Sequence, residues 1–210
     1  HQIIYLQKLM EVSTSFHPGV LQKLLTRPAF SYANVPYRIR PYRDMLRDAN
    51  NTIDFDWELQ KAINERVQAH GADGKLVPGP DGRVFHATLG EKLLTLLLAK
   101  VANFVPEGGI WMNTQRPEWN DANNALVGEG LSVVTLCYLR RFLVFCLELF
   151  NLNGPTAVPV RQEVAEFFNR TAAVLNKYQP LLAGCFSDAQ RKEMMDLIGS
   201  VSYTHLRAHE

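Results

Sequence analysis

Residues Leu131–Phe150 read LSVVTLCYLRRFLVFCLELF. The stretch holds no proline or glycine, and its only charges are Arg140, Arg141 and Glu148. It predicts a long, nearly all-apolar helix. Upstream, Thr88-Leu89-Gly90-Glu91 has capping-box spacing and opens a second apolar helix that runs to about Val105. A helix that is apolar over most of its surface is covered on several sides. Charges at Lys100, Arg140, Arg141 and Glu148 interrupt both runs too often for a bilayer span. Between the two lies a polar interruption from Pro106 to Gly130, roughly two dozen residues against a usual connection of about 4 to 6. Connections of that length in compact domains tend to be functional or mobile.

The rest of the chain also reads as helices. Residues from about Asp56 to His70 place Trp57, Leu59, Ile63 and Val67 at helical spacing, with Asp54 or Asp56 as the cap and Gly71 as the terminator. Asp73-Gly74, Pro78-Gly79 and Asp81-Gly82 mark residues 71–86 as a loop or short hairpin. After Pro155 and Pro159, residues 160–178 form an amphipathic helix with Val164, Phe167, Phe168, Ala172 and Leu175 on its apolar stripe. Ser187-Asp188-Ala189-Gln190 is another capping box, opening a helix through Leu197. No segment alternates as a strand would. Antiparallel helices joined by loops give an all-α domain.

The chain has 210 residues, 47% of them hydrophobic, and a formal charge of +1, which is enough for a globular core and excludes a disordered segment. Dispersed basic residues near neutrality give no footprint for nucleic acid. Neither nucleic acid nor a membrane is an expected partner. Cys137, Cys146 and Cys185 fit neither a disulfide framework nor a zinc site and read as buried free thiols, while His17, His70 and His86 lack ligand spacing. No metal site is expected. Arg140-Arg141 reads as a solvated or ion-paired helix edge.

Both ends point to a fragment. The chain opens at His1 inside an apolar periodic segment (Ile3, Ile4, Leu6, Leu9, Met10), so the lack of a leader says nothing about localisation. The final residues Val201–Glu210 resemble a translated sequencing adapter and are set apart from the expected domain over residues 1–200.

Within the polar interruption lies Arg116-Pro117-Glu118-Trp119-Asn120-Asp121-Ala122-Asn123-Asn124. Two carboxylates, three amides, a guanidinium and an indole in so short a space suit a sugar site. Cleaving a glycosidic bond needs a carboxyl acid, and a polyhydroxylated ring needs groups that donate and accept hydrogen bonds. An aromatic face meets its C–H surface. On composition alone, an ordinary turn with Asp121 as a helix cap explains the same residues.

Trp119-Asn120-Asp121-Ala122-Asn123-Asn124, followed by Val127-Gly128-Glu129-Gly130-Leu131-Ser132-Val133, resembles the Trp-Asn-Asp segment and helix start of cellobiose- and chitobiose-phosphorylase-type enzymes. Gly109-Ile110-Trp111-Met112 resembles the loop entering that motif, so the resemblance covers about residues 106–145. These enzymes are six-hairpin glycosidases, and the resemblance implies a partial (α/α)6 toroid with Asp121 as the general acid. The chain departs from the family at Ala122, where glycine is usual, and the family's phosphate-binding residues are not found. Glycoside hydrolase and glycoside phosphorylase therefore both stay open, with an oligosaccharide or glycoside as substrate. No cofactor is implied, although a phosphorylase would take inorganic phosphate as co-substrate.

In the resulting scheme Asp121 needs a raised pKa, from burial beside Trp119 and from the Glu118 carboxylate. Asn120 and Asn124 bind sugar hydroxyls or orient the acid, Arg116 pairs with Glu118 or contacts the sugar, and Trp111 and Trp119 supply stacking surface or pocket wall. Glu118 is not the second catalytic carboxylate. An inverting pair stands about 6.5–9.5 Å apart, whereas helical neighbours at this spacing lie about 5–6 Å apart. Asp54, Asp56 and Asp73 are base candidates that capping and turn formation explain better. Phe30–Tyr42, rich in aromatics, prolines and arginines, lines a sugar cleft or packs as an irregular loop. The rival functions are a non-catalytic helical carbohydrate-binding domain and a helical scaffold.

Overall fold

The computed structural model describes residues 2–48, 51–113, 126–151 and 157–206. Its helices are α1 (Gln2–Phe16), α2 (Val20–Leu24), α3 (Tyr42–Arg47), α4 (Trp57–His70), α5 (Leu89–Val101), α6 (Val133–Asn151), α7 (Gln162–Tyr178) and α8 (Asp188–Leu206). Short 3-10 turns follow α4 at Gly71–Lys75 and α7 at Gln179–Ala183. The chain is mostly helical, as expected, with two small antiparallel sheets that the sequence does not reveal. Strand β1 (Tyr37–Ile39) pairs with β2 (Ile53–Phe55), and β3 (Phe104–Val105), β4 (Gly109–Trp111) and β5 (Leu131–Ser132) follow one another in a second sheet. Strands of two or three residues are too short to display a period of two.

The expected caps form. Asp56 Oδ1 accepts from Leu59 N at 2.9 Å and Gly71 ends α4 at φ 64°. Thr88 Oγ1 accepts from Glu91 N at 3.1 Å, but the Glu91 carboxylate does not turn back to complete the box. It is buried, and it accepts from Arg161 N at 2.9 Å, Arg161 Nε at 3.3 Å and the Tyr32 hydroxyl at 3.1 Å. A buried carboxylate needs such partners, and here they tie the start of α5 to the approach of α7. At α8 the box is complete: Gln190 N donates to Ser187 Oγ at 3.3 Å and Ser187 N to Gln190 Oε1 at 2.9 Å. Within residues 71–86, expected as a loop or short hairpin, residues 77–85 form a hairpin closed by Gly79 N to Arg83 O at 2.7 Å and Phe85 N to Val77 O at 2.9 Å.

Helix α5 sits between two layers. Leu89, Leu93 and Val101 join Ile3, Met10, Leu25, Leu139, Phe142 and Leu149 in one core, while Leu98 joins Val164, Phe167, Val174, Met194 and Ile198 in another. That is why its sequence is apolar on most sides. A third, smaller cluster gathers Tyr42, Met45, Val105 and Trp111, with Ile39 and Met195 packed against it.

Helices α1 and α6 are apolar on two opposite faces. Helix α1 buries Ile3 and Met10 but exposes Tyr5, Leu9, Val12 and Phe16, which recur three and four residues apart along its other side. Helix α6 buries Leu139, Phe142, Cys146 and Leu149 and exposes Val133, Val144 and Leu147. The two helices pack against each other.

Several expectations are corrected. Helix α5 stops at Val101, because residues 104–105 leave to pair with β4. Leu131 and Ser132 are strand, so α6 starts at Val133. Trp57 is exposed rather than part of the apolar stripe of α4, where Ile63 is the buried residue. In α7 the buried stripe is Val164, Phe167, Thr171, Val174 and Tyr178, with Phe168 exposed. Helix α8 runs past Leu197 to Leu206, and Val201 extends the buried spacing of Met194 and Ile198. Of the cysteines only Cys146 is buried, and burial pushes its thiol up to about 12; Cys137 and Cys185 are exposed.

Candidate functional site

Arg116, Glu118, Trp119, Asn120, Asp121 and Asn124 lie outside the described residues. What the structure describes is the frame on either side of them. Trp111 N donates to Asn103 O at 2.8 Å, holding β4 against the end of α5. Met112 N then donates to Gly130 O at 3.0 Å and Gly128 N to Met112 O at 2.6 Å. With the pairs Ile110↔Ser132 and Trp111↔Leu131, these bonds bring the chain entering the motif beside the chain leaving it. Both stems rise from one hydrogen-bonded base.

The side chains reinforce that base. Trp111 is 9% exposed; its indole N–H donates to Gly128 O at 2.9 Å and its ring meets Tyr42 edge-on at 6.2 Å between centroids. Here it packs as a strut that joins the two stems. Asn113, also buried, donates from Nδ2 to Asn103 Oδ1 at 2.7 Å, and Asn103 Nδ2 donates to Ala99 O at 3.1 Å. Gly128 turns the returning chain at φ 79°, a conformation glycine adopts without steric cost. Ser132 Oγ accepts from Thr135 N at 3.1 Å and caps α6, which starts directly from the base.

At the other end of this sheet, Glu107 occupies a left-handed turn at φ 60°. Its carboxylate accepts from Arg191 Nη2 at 2.7 Å and from Phe186 N at 3.2 Å, and Arg191 Nε donates to Pro106 O at 3.1 Å. Glu107 fastens the hairpin to α8.

Two of the three base candidates have their carboxylates engaged elsewhere. Asp54 accepts from Arg40 at 2.9 and 2.8 Å, and Asp56 caps α4 while pairing with Arg38. Asp73 takes part in the 3-10 turn, its carbonyl accepting from Leu76 N at 3.0 Å. The expected ion-paired edge is present at Arg141, which reaches Glu11 at 3.0 Å.

The Phe30–Tyr42 cluster divides among three places. Phe30 bridges Ala87, and Tyr32 lies under Lys92, whose ammonium stands 3.9 Å from the ring centroid and donates to Ser31 O at 3.0 Å. Burial pushes the Lys92 ammonium pKa down and that of the Tyr32 phenol up to about 12. Tyr37 lies on β1, and the Tyr42 ring meets Trp111. An open cavity of about 410 Å³ borders Tyr42, lined also by Arg43, Leu46, Arg47, Lys192, Asp196 and Ser200. Asp196 accepts from Lys192 at 2.6 Å and from the Tyr42 hydroxyl at 3.0 Å. The Lys192 bond is the main cause that holds its carboxyl below the usual range.

Sequence reasoning missed one exposed aromatic group. Tyr37 and Phe55 pair across β1 and β2 with ring centroids 5.2 Å apart, and Trp57 leans on Phe55 at 4.4 Å. Trp57 is 75% exposed and Tyr37 51%. The available signal was Phe55-Asp56-Trp57, an aromatic on either side of a capping aspartate. Among the described residues, no cluster of histidine, cysteine or carboxylate side chains could hold a metal ion. A scan against protein-family models finds no match, and a search of the curated proteins finds none either.

Proposed function

We propose that this chain is part of a glycoside-active enzyme in which Asp121 acts as the general acid on a glycosidic oxygen. The observation that carries the reading is the clamped base beneath the motif. Trp111, Met112, Gly128 and Gly130 join the two stems that lead into and out of the motif. An acid must be held in place to protonate a leaving oxygen in the transition state, and anchoring at both ends restricts the positions it can take. The resemblance of residues 106–145 to the phosphorylase-type six-hairpin enzymes supplies the reaction class. Glu118 and Trp119 would raise the Asp121 pKa, and Arg116, Asn120 and Asn124 would hold sugar hydroxyls.

The same reading places the helices in a partial (α/α)6 toroid. Helices α1 and α6, apolar on opposite faces, have the pattern expected of helices lying between neighbours on both sides.

The test uses the product of the intact gene. Asp121→Asn abolishes turnover of an unactivated glycoside and leaves sugar binding near the wild-type value; unchanged turnover removes Asp121 as the acid. Dependence of cleavage on inorganic phosphate, with a sugar phosphate as product, assigns phosphorolysis, and phosphate-independent release of free sugar assigns hydrolysis. Sugar binding without turnover by the wild-type protein makes the chain a non-catalytic carbohydrate-binding domain.

A further inference from the structure

We propose that Trp57, braced by Phe55 and Tyr37, is a carbohydrate platform, separate from the cleavage motif, that binds a neutral β-linked oligosaccharide. The ligand class rests on the reading above, but the platform itself is argued from its own geometry. Trp57 is the first residue of α4, immediately after its cap. Its backbone is fixed there by the Asp56 bond to Leu59 N, and Phe55 is fixed by strand pairing with Tyr37. The three rings brace one another through contacts at 5.2 and 4.4 Å, so little side-chain freedom is left to lose when a ligand arrives. Trp57 contributes little to the core: it is 75% exposed, and among the described residues nothing accepts its indole N–H. One indole face and a free donor are thus presented together.

The surrounding charges select the ligand. Arg38 pairs with Asp56 and Arg40 with Asp54, so two guanidinium groups and two carboxylates sum to zero on this hairpin. A phosphate or a polycation finds no net field there. Arg38 and Asp54 are the half-exposed members of these pairs, and their remaining N–H donors and lone pairs match hydroxyls that donate and accept. Pyranose rings with equatorial substituents present flat C–H faces to an aromatic ring and hydroxyls at their edges. A protein partner fits less well. Three aromatic side chains of about 150–250 Å² each, partly covered by one another, fall short of the roughly 800 Å² per side of a stable protein interface.

The experiment titrates the 210-residue chain with cellohexaose, followed by calorimetry and tryptophan fluorescence. Saturable binding is expected, weakened roughly tenfold or more by Trp57→Ala, a loss of about 1.4 kcal/mol, and within a few-fold of wild type for Trp57→Phe. Thermal unfolding of both variants should match the wild type, since the ring is outside the core. No binding by the wild type, or equal binding by Trp57→Ala, overturns the platform. Concentration-dependent self-association that Trp57→Ala removes also overturns it. The two proposals fail separately. Asp121→Asn leaves the platform's affinity unchanged, and Trp57→Ala leaves turnover of a short soluble glycoside by the intact gene product unchanged.

Discussion

The two small sheets are built alike and used differently. In each, a short strand leads directly into a helix through a side-chain cap, Asp56 for α4 and Ser132 for α6. Each also places a tryptophan at or near that junction. Trp111 is 9% exposed with its N–H bonded, whereas Trp57 is 75% exposed. The difference comes from what covers each sheet. Helix α6 packs on β4 and helix α8 on β3, whereas β1 and β2 leave their outer aromatic end in solvent. The same residue type, at a helix start in one sheet and on a strand in the other, is a surface in the first and a strut in the second.

Truncating the two tryptophans gives the largest test of that contrast. Trp111→Ala should cost about 3–5 kcal/mol in chemical unfolding, because it empties a packed site and leaves Gly128 O without its donor. Trp57→Ala should stay within about 0.5 kcal/mol of wild type. Comparable losses would mean that the two sheets share one structural role. A smaller effect is expected at Gly109, where φ is 151° and an added Cβ would stand 3.1 Å from the backbone of Ser132. Gly109→Ala should destabilise by about 1–3 kcal/mol through backbone strain and overpacking, read from the shift in denaturant midpoint.

The caps separate the sheets more finely. Asp56→Ala and Ser132→Ala should each cost about 1 kcal/mol. Only the Asp56 loss should shrink in high salt, since Asp56 also pairs with Arg38 and Ser132 carries no charge. The smallest effect concerns acid. Lys192 and Tyr42 hold the Asp196 carboxyl below its ordinary range, so the folded state binds that proton less readily than the unfolded chain does. The resulting stability is fully present above the unfolded pKa of about 3.9 and fades as pH falls through the lower folded value. Asp196→Asn should flatten this acid limb in a pH series of thermal midpoints.

What the sequence made legible were features with local causes. Asp56, Thr88 and Ser187 cap where their spacing says they should, because a cap is decided within four residues. The glycine-marked turn at residues 77–85 follows for the same reason. Long-range choices were not legible. Glu91 forgoes its own capping box for Arg161, seventy residues away, and nothing near Glu91 announces it. Phe104 and Val105 continue an apolar run yet leave the helix to pair with β4. Trp57 stands six positions before Ile63, about 120° around the helix from it, and so falls outside the buried stripe. At the candidate site, the motif lies outside the described residues, and Ser132, which the sequence placed inside the helix, is its cap. The strut role of Trp111 depends on a hydrogen bond across seventeen positions and was out of reach.

The closed base at Met112 and Gly130 also bears on how this region can vary. With the stems joined by backbone hydrogen bonds, the base keeps its geometry through groups that lie outside the motif itself. A change at Trp111, Gly128 or Ser132 therefore reaches the helical core directly, through the end of α5 and the start of α6. Natural or laboratory selection on stability acts at these three positions, apart from the residues that would carry chemistry.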